Sequence, residues 1–506
     1  MKKVIIKKET YFDSVFLMQV DRKFKQIPGI IQSVVAMATP HNKEILKNLD
    51  FSSDKLSETT SNDLVIAIEA EKDEVFKRAV NQFEEIIKKH KMAGSAGRRK
   101  SFATFNSALK ELPEASLALI SIPGQYVAAE AKKCLEKGLN VMIFSDNVSL
   151  ENEIELKNEA AEKGLLVMGP DCGTAIINHV PLAFANVVKP GPIGIVGASG
   201  TGIQEITCLI DSFGSGITQA IGTGGRDLSE KVGGITSLLA IDLLVEDDKT
   251  KVIIVISKPP ANSIAKKIIA KLKTSGKPCV VHFLGHKTGK KEEGSVIFAS
   301  SLFETASLAC KLSGMEAAIQ EMNVVEQAKK SAEKISGKRK FIRGLFTGGT
   351  LCDEAIMVFE DNGINVYSNI HHDANFKLLD QMKSSEHSFL DLGDDTFTVG
   401  RPHPMIDPST RTDRIEAELS DPEVAVLLFD VVLGYGSHPD PAGALAEAIG
   451  KDCPCVVVAS ITGTEGDYQN YDIQKQILLD AGIIIMPSNY HAALCGAEII
   501  KIIGKT

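Results

Sequence analysis

The sequence predicts an α/β protein of several domains in which helices cover parallel sheets. Three observations support this prediction: the length, an alternation of apolar strands with helical patterns, and a repeat in the second half. The 506 residues exceed what a single core supports, so three or four domains are expected. Hydrophobic residues make up 44% of the chain and charged residues 24%, which excludes a disordered or fibrous protein.

Charge and composition also narrow the classes of function. Lys and Arg number 56 against 65 Asp and Glu, so the net charge is −9 and no nucleic-acid partner is expected. The absence of Trp and the 6% aromatic content argue against a platform for stacking sugars or bases. No apolar run reaches the roughly 18 residues of a membrane helix, so we predict a cytoplasmic protein without a membrane partner.

The nine cysteines are scattered along the chain and show no zinc-ligand spacing. Cys453 and Cys455 form Cys-Pro-Cys rather than Cys-x-x-Cys. Buried free thiols in a reducing cytoplasm are therefore expected, with neither metal nor cofactor. His371-His372-Asp373 comes nearest to a ligand cluster, and we interpret it as a polar loop.

Residues 1–97 are predicted to form an α+β module whose order of elements resembles a ferredoxin-like fold. Residues 73–91 carry apolar side chains at helical spacing. The pattern predicts, in order, strand Val4–Lys8, a helix near 11–25, strand Gly29–Ala38, strand Leu64–Glu69, the helix over 73–91 and a linker at Ser95–Lys100.

Residues 98–190 are predicted to form a Rossmann-like domain. Leu117–Ile122, Leu139–Phe144 and Leu165–Met168 are continuous apolar runs separated by helical patterns. Such runs are typical of parallel strands that are buried on both faces.

Two related flavodoxin-like domains are predicted at 191–335 and 336–506. In each, a strand runs into a Gly-rich turn and a helix, and Gly-Thr is followed four residues later by Glu. The shared residues are Gly200, Thr201 and Glu205 in the first copy and Gly349, Thr350 and Glu354 in the second. Each copy later contains Pro-Cys-Val-Val, and the second copy is longer, with its excess around 371–411.

A strand, a Gly-rich turn and a helix bring unpaired backbone N–H groups and the positive end of the helix to one point. Such a turn is a candidate phosphate site, although glycine can equally be there only to turn the chain. The candidates are Ser199, Gly200, Thr201 and Gly202 in the first copy, Gly348, Gly349 and Thr350 in the second, and Gly434, Gly436 and Ser437 further on.

A further loop and one lysine are also candidate residues. Gly224, Gly225 and Arg226 combine a flexible backbone with a cation, with a tight turn carrying a surface Arg as the alternative. Lys258 follows an apolar strand, at the sheet edge where open α/β folds bind ligands.

The loop 400–408 contains three prolines, which pre-set the backbone around Arg401 and His403. An Arg fork suits a carboxylate or a phosphate, and Arg411 and Arg414 follow nearby. A rigid structural loop is the alternative interpretation.

At these residues the chain resembles the succinyl-CoA synthetase superfamily. Met168–Thr174 is similar to its Gly-Pro-Asn-Cys-x-Gly segment, and Lys189–Thr201 to the phosphate turn of its alpha subunit. Residues 341–506 resemble the carboxyl-terminal domain of its beta subunit. With Gly-Gly-Arg-Asp-Leu at 224–228 and the Pro-rich loop at 400–408, the whole resembles the FdrA family of acyl-CoA synthetase-like proteins.

The chain departs from the synthetases at three places. The 1–97 module stands where they carry a Gly-rich CoA loop, and no segment resembles their nucleotide domain. Their phosphohistidine segment corresponds to Gly294–Phe298, in which Ser295 takes the place of the histidine. These departures indicate a chain that does not run ATP-driven CoA ligation.

The FdrA resemblance implies a subunit of a heteromeric carbamoyltransferase of purine and allantoin catabolism. It would interconvert oxalurate plus phosphate with oxamate plus carbamoyl phosphate, with other subunits and further copies of itself as partners. Phosphate would bind at the helix N-termini, Arg401 and Arg226 would hold anions, and His403 would move a proton. The alternative is an acyl-CoA synthetase subunit, or a non-catalytic scaffold derived from one.

Overall fold

A computed structural model describes residues 1–505 apart from positions 9, 11, 13, 52–53, 61–62, 94–101, 103, 286–290, 316–322, 336, 399–400 and 452. The chain divides into two units, Met1–Pro113 with Gly400–Pro402, and Glu114–Val399 with His403–Thr506. The expected linker Ser95–Lys100 lies outside the described residues. In the part that the structure describes, no helix has the length and apolar character needed to cross a membrane.

The first unit contains a three-stranded antiparallel sheet in the order β1-β3-β2. The predicted strands and the long helix are confirmed, while the ferredoxin-like interpretation stays a prediction. The elements are β1 Lys2–Lys7, α1 Ser14–Lys25, β2 Ile30–Met37, α2 Pro40–Asn48, α3 Asp54–Ser57, β3 Leu64–Ala70, α4 Asp73–Ala93 and α5 Phe105–Glu111.

Helix α4 closes the core of this unit. Phe76, Ala79, Phe83 and Ile87 are buried and recur every three or four residues, which places them on one face of the helix. They join an apolar cluster that includes Phe24 of α1.

The second unit begins with a small parallel sheet in the order β4-β5-β6. Its elements are β4 Leu117–Ile120, α6 Gly124–Glu136, β5 Asn140–Ile143, α7 Leu150–Glu162 and β6 Val167–Met168. A hairpin follows, β7 Thr174–Ile177 and β8 Val180–Ala183, and it belongs to the next sheet because β7 pairs with a strand of that sheet. The predicted Rossmann-like segment 98–190 therefore divides between two sheets.

The first repeat forms an eight-stranded sheet in the order β13-β14-β12-β11-β9-β10-β7-β8. Its elements are β9 Pro190–Ala198, α8 Gly200–Ser212, β10 Ile217–Gly222, α9 Ile235–Glu246, β11 Val252–Ser257, α10 Asn262–Lys273, β12 Cys279–Phe283, β13 Glu292–Glu293, β14 Val296–Phe298 and α11 Leu302–Leu312.

The second repeat forms a six-stranded parallel sheet in the order β16-β17-β15-β18-β19-β20. Its elements are α12 Val324–Ala332, β15 Phe341–Phe346, α13 Gly349–Asp361, β16 Tyr367–Ser368, a short 3₁₀ helix Ala374–Phe376, β17 Ser388–Asp391, α14 Asp395–Thr398, α15 Ser409–Leu419, β18 Val424–Val432, α16 Pro441–Ile449, β19 Val456–Thr462, α17 Tyr471–Asp480, β20 Ile484–Met486 and α18 Asn489–Ile503.

The two sheets share an order of parallel strands. Five strands run parallel in equivalent orders, β10-β9-β11-β12-β14 in one copy and β17-β15-β18-β19-β20 in the other. Within each order, the strand before the repeated Gly-Thr turn lies second. Parallel neighbours end at the same edge of a sheet, so each repeat presents its Gly-rich turn at a carboxyl edge.

The repeats are joined by two buried glutamates at equivalent positions. Glu205 on α8 accepts a hydrogen bond from the backbone N–H of Asn489, the first residue of α18, at 3.0 Å. Glu354 on α13 accepts one from the N–H of Leu302, the first residue of α11, at 2.8 Å. Each repeat thus supplies the carboxylate that caps the last helix of the other.

A buried ion cluster fixes α7 against the loop that follows β10. The Lys157 ammonium donates to Glu153 at 2.9 Å, to Asp227 at 2.7 Å and to the Thr223 carbonyl at 3.0 Å. The Lys157, Glu153 and Asp227 side chains have no solvent exposure. Asp227 also accepts bonds from the backbone at the start of α9, so this one lysine links three elements.

We predict that Lys157→Met destabilises this region by about 3–5 kcal/mol, because the buried Asp227 carboxylate then loses its cation and Glu153 keeps only its pair with Arg226. Hydrogen exchange of the α7 amides measures the free energy of local opening. Lys163→Met at the end of the same helix removes an exposed pair with Glu159 and is expected to cost less than about 1 kcal/mol. Equal protection of α7 in both variants would contradict the role of Lys157.

Candidate functional site

The N-termini of α8 and α13 meet at the carboxyl edges of the two repeats. The hydroxyl oxygens of Ser199 and Thr350 lie 2.6 Å apart. A Cβ on Gly348 would lie 2.8 Å from the Thr201 side chain, so glycine is required where the helix ends approach. The structure therefore joins the first two predicted phosphate turns into one place.

The backbone amides of the two helix starts have different environments. At α13, the Asp430 carboxylate accepts from the N–H groups of Thr347 and Gly348, both at 2.9 Å, and Arg411 donates to it. The amide of Gly348 is therefore engaged inside the protein. A carboxylate of the chain already lies at the start of α13.

At α8, the Ser199 hydroxyl accepts from the N–H of Gly202 at 3.1 Å. Gly200 and Thr201 stand in the first turn, where helix geometry provides no partner carbonyl for their N–H groups. A Cβ on Gly200 would come within 3.3 Å only of the Thr174 hydroxyl. The equivalent first-turn amides at α13 are those of Gly349 and Thr350, and the Asp430 and Asp391 carboxylates lie beside that helix start. Because two carboxylates repel an anion, the start of α8 is better suited to an anion from outside.

Lys258 follows β11 and reaches the start of α13. Its ammonium lies 3.9 Å from an Asp353 carboxylate oxygen and would lie 3.4 Å from a Cβ on Gly349. The Asp391 carboxylate, at the end of β17, would lie 2.5 Å from the same Cβ. Lys258 and Asp391 thus lie beside Gly349, and Asp353 lies beside Lys258, whereas the sequence motifs indicate only the lysine and the glycine.

Burial raises the pKa of the carboxyls in this cluster. The pKa of Asp391 rises to about 7 because the group is desolvated, which outweighs the attraction of Lys258. Desolvation also raises the pKa of Asp353, against the opposing charges of Lys258 and His372. Desolvation and the nearby Asp146 charge raise the pKa of Asp171 to about 6, but Asp171 itself is exposed. Asp391 is therefore the better-enclosed acid with a pKa near neutrality.

His403 lies beside the Asp391 loop and is neutral near pH 7. Burial, with the Arg411 charge adding to it, lowers the pKa of His403 to about 4. Its Nδ1 accepts the backbone N–H of Met405 at 3.2 Å, which assigns the proton of the neutral ring to Nε2. That Nε2 would lie 2.5 Å from a Cβ on Gly393, whose own N–H donates to Asp391. His403 is thus placed to donate a hydrogen bond rather than to carry a charge.

Arg226 is held by internal partners. Its guanidinium lies 2.8 Å from the buried Glu153 carboxylate and donates to the Val148 carbonyl at 2.9 Å. A Cβ on Gly224 would lie 2.4 Å from the Pro170 carbonyl oxygen, and one on Gly225 would lie 3.9 Å from the Asp171 carboxylate. The loop therefore packs on the segment that carries Asp171, and Arg226 anchors it.

The third predicted phosphate turn packs against the chain itself. Gly434 has φ +102° and an added Cβ would lie 2.6 Å from the Ala185 carbonyl oxygen. A Cβ on Gly436 would lie 2.6 Å from the Phe184 ring. Ser437 is buried in the same turn. Close packing accounts for these glycines.

The arginines of the second repeat divide into paired and exposed ones. Arg411 is buried and bonds Asp430, and Arg414 bonds Glu418 at 2.7 Å, so both serve internal pairs rather than the predicted anion. Arg401 is exposed, and residues 400–402 are grouped with the first unit.

The loop at 371–373 is polar, as the sequence predicts, and His372 lies 3.5 Å from Asp353. The described residues contain no group of three or more His, Cys, Asp or Glu side chains arranged for a metal ion.

Ser295 lies at the opposite edge of its sheet from the helix N-termini. Its carbonyl accepts the N–H of Cys279, the first residue of β12, at 2.9 Å, and its hydroxyl donates to the Leu272 carbonyl at 3.4 Å. The residue that the resemblance matched to the phosphohistidine is therefore remote from the candidate site. His282 is buried on β12 and bonds the Ala299 carbonyl through Nδ1.

Comparison with known proteins gives the family of the chain. The uncharacterized protein YahF of Escherichia coli (strain K12) is 44% identical over 510 residues, covering 98% of both chains. The chain belongs to the succinyl-CoA synthetase-like family of YahF. The model of the CoA-ligase family matches residues 345–498, and that of the CoA binding domain matches residues 188–285. The second match falls on the first repeat rather than on 98–190, where the Rossmann-like domain was predicted.

More distant relatives are subunits of CoA ligases. The alpha 2 subunit of the ADP-forming succinate–CoA ligase of Archaeoglobus fulgidus is 23% identical, over 29% of this chain and 50% of the subunit. Subunit SauD of the ADP-forming sulfoacetate-CoA ligase of Bilophila wadsworthia is 26% identical, over 36% of this chain and 62% of the subunit. The chain thus spans between half and two thirds of these ligase subunits.

Among solved structures, the dinucleotide-forming acetyl-coenzyme A synthetase 1 of Ca. Korarchaeum cryptofilum, in complex with phosphate and ADP, matches with a TM-score of 0.30 and 17% identity. The match covers 77% of this chain and 83% of that one.

The first unit matches a model whose name implies a metal, the AllF heavy metal-associated domain, over residues 1–103. Soft heavy metals are bound chiefly by thiolates. This segment contains no cysteine, since Cys134 is the first in the chain, and its histidines are His41 and His90. Its residues therefore do not fit a thiolate-bound heavy metal.

We predict that Asp391→Asn reduces the dependence of stability on pH. Asp391 has an ordinary pKa of 3.8 and a folded pKa of about 7, so between these values the folded state retains a proton that the unfolded chain releases. The stabilisation is complete below about pH 4 and is lost as the pH rises through about 7. Chemical unfolding across this range measures the slope, which should be shallower in the variant than in the wild type. Asp480→Asn, at an exposed position on α17, serves as the control, and equal slopes in all three proteins would contradict the assignment.

We also predict that Lys258→Met lowers the affinity for inorganic phosphate by about tenfold or more, since a charge-assisted hydrogen bond contributes about 1.5–3 kcal/mol. Titration calorimetry with phosphate measures the effect. Lys267→Met removes an exposed charge from α10 and should leave the affinity unchanged. An unaltered affinity in Lys258→Met would show that phosphate does not bind beside Lys258.

Proposed function

We propose that this chain supplies the phosphate-binding part of a heteromeric enzyme that makes and breaks an acyl phosphate bond, with carbamoyl as the acyl group. The observation that carries the proposal is the meeting of α8 and α13, with Ser199 and Thr350 in contact beside Lys258. Helix N-termini and an ammonium group bind phosphate well.

The reaction we propose is the phosphorolysis of oxalurate. A phosphate oxygen attacks the ureido carbonyl carbon, the bond from that carbon to the leaving nitrogen breaks, and the nitrogen takes a proton. The products are carbamoyl phosphate and oxamate. The step needs an aligned phosphate, a stabilised oxyanion and a proton donor, and it needs no nucleophile from the protein.

The described residues can supply these three roles. Phosphate binds at the first-turn amides of Gly200 and Thr201 and beside Lys258. His403, neutral and protonated on Nε2, donates a hydrogen bond to the oxyanion. Asp391, whose pKa burial raises to about 7, gives the proton to the leaving nitrogen.

Protonation also explains how a phosphate and several carboxyls can share one site. Two carboxylates beside a phosphate dianion would repel it strongly in a poorly solvated place. Burial favours the neutral form of Asp391 and raises the pKa of Asp353, so their repulsion is smaller than their number suggests. The Lys258 charge then favours the phosphate.

Partner subunits are part of the proposal. The ligase relatives are themselves named as subunits, and the name AllF of the first-unit model supports the proposed role in allantoin catabolism. The predicted role of Arg401, holding the carboxylate of oxamate or oxalurate, stays a prediction. Arg226, engaged with Glu153, is better assigned to positioning its loop.

The second candidate is an acyl-CoA ligase subunit, which the CoA-ligase and CoA-binding matches favour. Both candidates use an acyl phosphate, and they differ in the acceptor and in the need for nucleotide. The location of Ser295 away from the site and its lack of an imidazole favour the first candidate.

The deciding experiment uses the complex of this chain with its neighbour-encoded subunits. One arm supplies oxalurate and phosphate and follows carbamoyl phosphate by phosphorus NMR. The other supplies ATP, CoA and a carboxylic acid such as succinate and follows the thioester. Carbamoyl phosphate without nucleotide supports the proposal, whereas a thioester formed at the expense of ATP would establish the ligase instead.

We predict that His403→Ala lowers turnover by about tenfold, the loss of about 1.4 kcal/mol of transition-state stabilisation. His403→Gln should retain more activity because its amide can still donate. The pH profile should show no step near 6.5 that is lost with His403, since its pKa of about 4 keeps the ring neutral. His179→Gln, in an exposed turn, is the matched control. Wild-type turnover in His403→Ala would remove this residue from the mechanism.

A further inference from the structure

Two of the nine cysteines differ from the rest in exposure. Cys453 and Cys455 are half-buried and the other seven are buried. Desolvation raises the pKa of all seven buried thiols, which disfavours their reactive thiolate form. These seven are Cys134, Cys172, Cys208, Cys279, Cys310, Cys352 and Cys495.

The two half-buried thiols face each other. Their Sγ atoms lie 3.5 Å apart on either side of Pro454, immediately before β19 begins at Val456. A disulfide requires about 2.05 Å between the sulfurs, so the two sulfurs must approach each other by about 1.5 Å to be joined. Both residues also pack on the apolar cluster of the second repeat, which holds them together.

The hydrogen bond between the two thiols, with a smaller contribution from a neighbouring charge, favours the thiolate form of Cys453. Cys455 hydrogen-bonds the Cys453 sulfur and, with the Arg339 charge, lowers the pKa of Cys453 to about 7, whereas the pKa of Cys455 is raised. Arg339 is fixed by donating to the Val424 carbonyl at 2.6 Å. It belongs to the basic run Lys338–Lys340, so this run supplies the cation.

We propose that Cys453 and Cys455 form a thiol–disulfide exchange site whose substrates are small-molecule disulfides. The Cys453 thiolate attacks one sulfur of the disulfide, forms a mixed disulfide and expels one thiolate. Cys455 then loses its proton to solvent and attacks the Cys453 sulfur, which expels the second thiolate. Two electrons pass from the pair to the small disulfide, and an intramolecular disulfide remains.

This inference is independent of the proposed function. The pair lies at the amino end of β19, and the candidate phosphate site lies at the carboxyl edges of the sheets. Oxidation of the pair is therefore expected to leave phosphate affinity unchanged. A protein that fails the exchange reaction can still form carbamoyl phosphate, and a protein that forms no carbamoyl phosphate can still carry out the exchange reaction.

The test uses the full chain and an aromatic disulfide, dithiobis(nitrobenzoate), whose released thiolate is coloured. The wild type should rapidly release two equivalents of thiolate per chain and retain no aryl label by mass spectrometry. Cys455→Ser keeps a hydrogen-bond donor but cannot resolve the mixed disulfide, so it should release one equivalent and retain one label. Cys453→Ser should lose the rapid phase.

The pH dependence of alkylation supplies a second measurement on the native protein. The rate at Cys453, followed by iodoacetamide labelling and peptide mapping, should have its midpoint near pH 7, below the roughly 8.5 of an ordinary thiol. Arg339→Met should move the midpoint upward. Lys340→Met, which removes a neighbouring charge of the same run, is the control.

Three results would overturn the proposal: a label retained on wild-type Cys453, a rapid phase that survives in Cys453→Ser, or a midpoint near 8.5 that Arg339→Met does not move. The labelling is carried out below the unfolding transition, with circular dichroism confirming that each variant is folded.

Discussion

The exchange of caps between Glu205 and Glu354 is the constraint on which the arrangement of the two repeats depends. A buried carboxylate without partners is strongly unfavourable, and each of these accepts the first backbone N–H of a helix in the other repeat. Asn489 adds a bond to Glu354 at 2.8 Å, so both carboxylates meet at the start of α18. Glu354 is buried, and this burial raises its pKa to about 7. Because these glutamates lie one turn into α8 and α13, fixing them also fixes the two helix ends.

The candidate site follows from that fixed pair of helix ends. Gly348 is glycine because the Thr201 side chain lies against it, and Gly349 is glycine because the Asp391 carboxylate does. The N-termini of α8 and α13, which are equivalent in the two repeats, differ in the charge of the side chains beside them. Asp430 accepts from the amides of Thr347 and Gly348 just before α13, and Asp391 lies beside Gly349, whereas a Cβ added to Gly200 of α8 would meet the Thr174 hydroxyl. The two equivalent helix starts therefore differ in charge, because carboxylates lie beside the start of α13 and a hydroxyl lies beside the start of α8.

Much of the fold could be predicted from the sequence, because hydrophobic periodicity and Gly-rich turns are local signals. The shared order of Gly, Thr and Glu identified the repeat and, within it, the two helix starts that meet. The partners of Lys258 were missed because Asp353 and Asp391 are distant along the chain and belong to no motif. Its position in the sequence could have identified Asp391, because it ends an apolar run in the same way that Lys258 follows one. Gly434 and Gly436 looked like Gly200 in sequence, yet they pack on the segment before β9, and no local pattern separates these cases.

The sequence by itself determined most of the strands and helices that it predicts, the repeated Gly-Thr turns and the placing of Lys258 at a carboxyl edge. It did so because local periodicity dictates secondary structure, and parallel strands end at one edge. Only the tertiary structure decided which of those edge residues serve a ligand and which serve the protein. Arg226 and Arg411 carry the charge that an anion site needs, but Glu153 and Asp430 engage them. His403 has an ordinary side chain whose burial beside Arg411 makes it a neutral donor. Charge state and availability depend on desolvation and on partners brought from distant segments, and these exist only once the chain has folded.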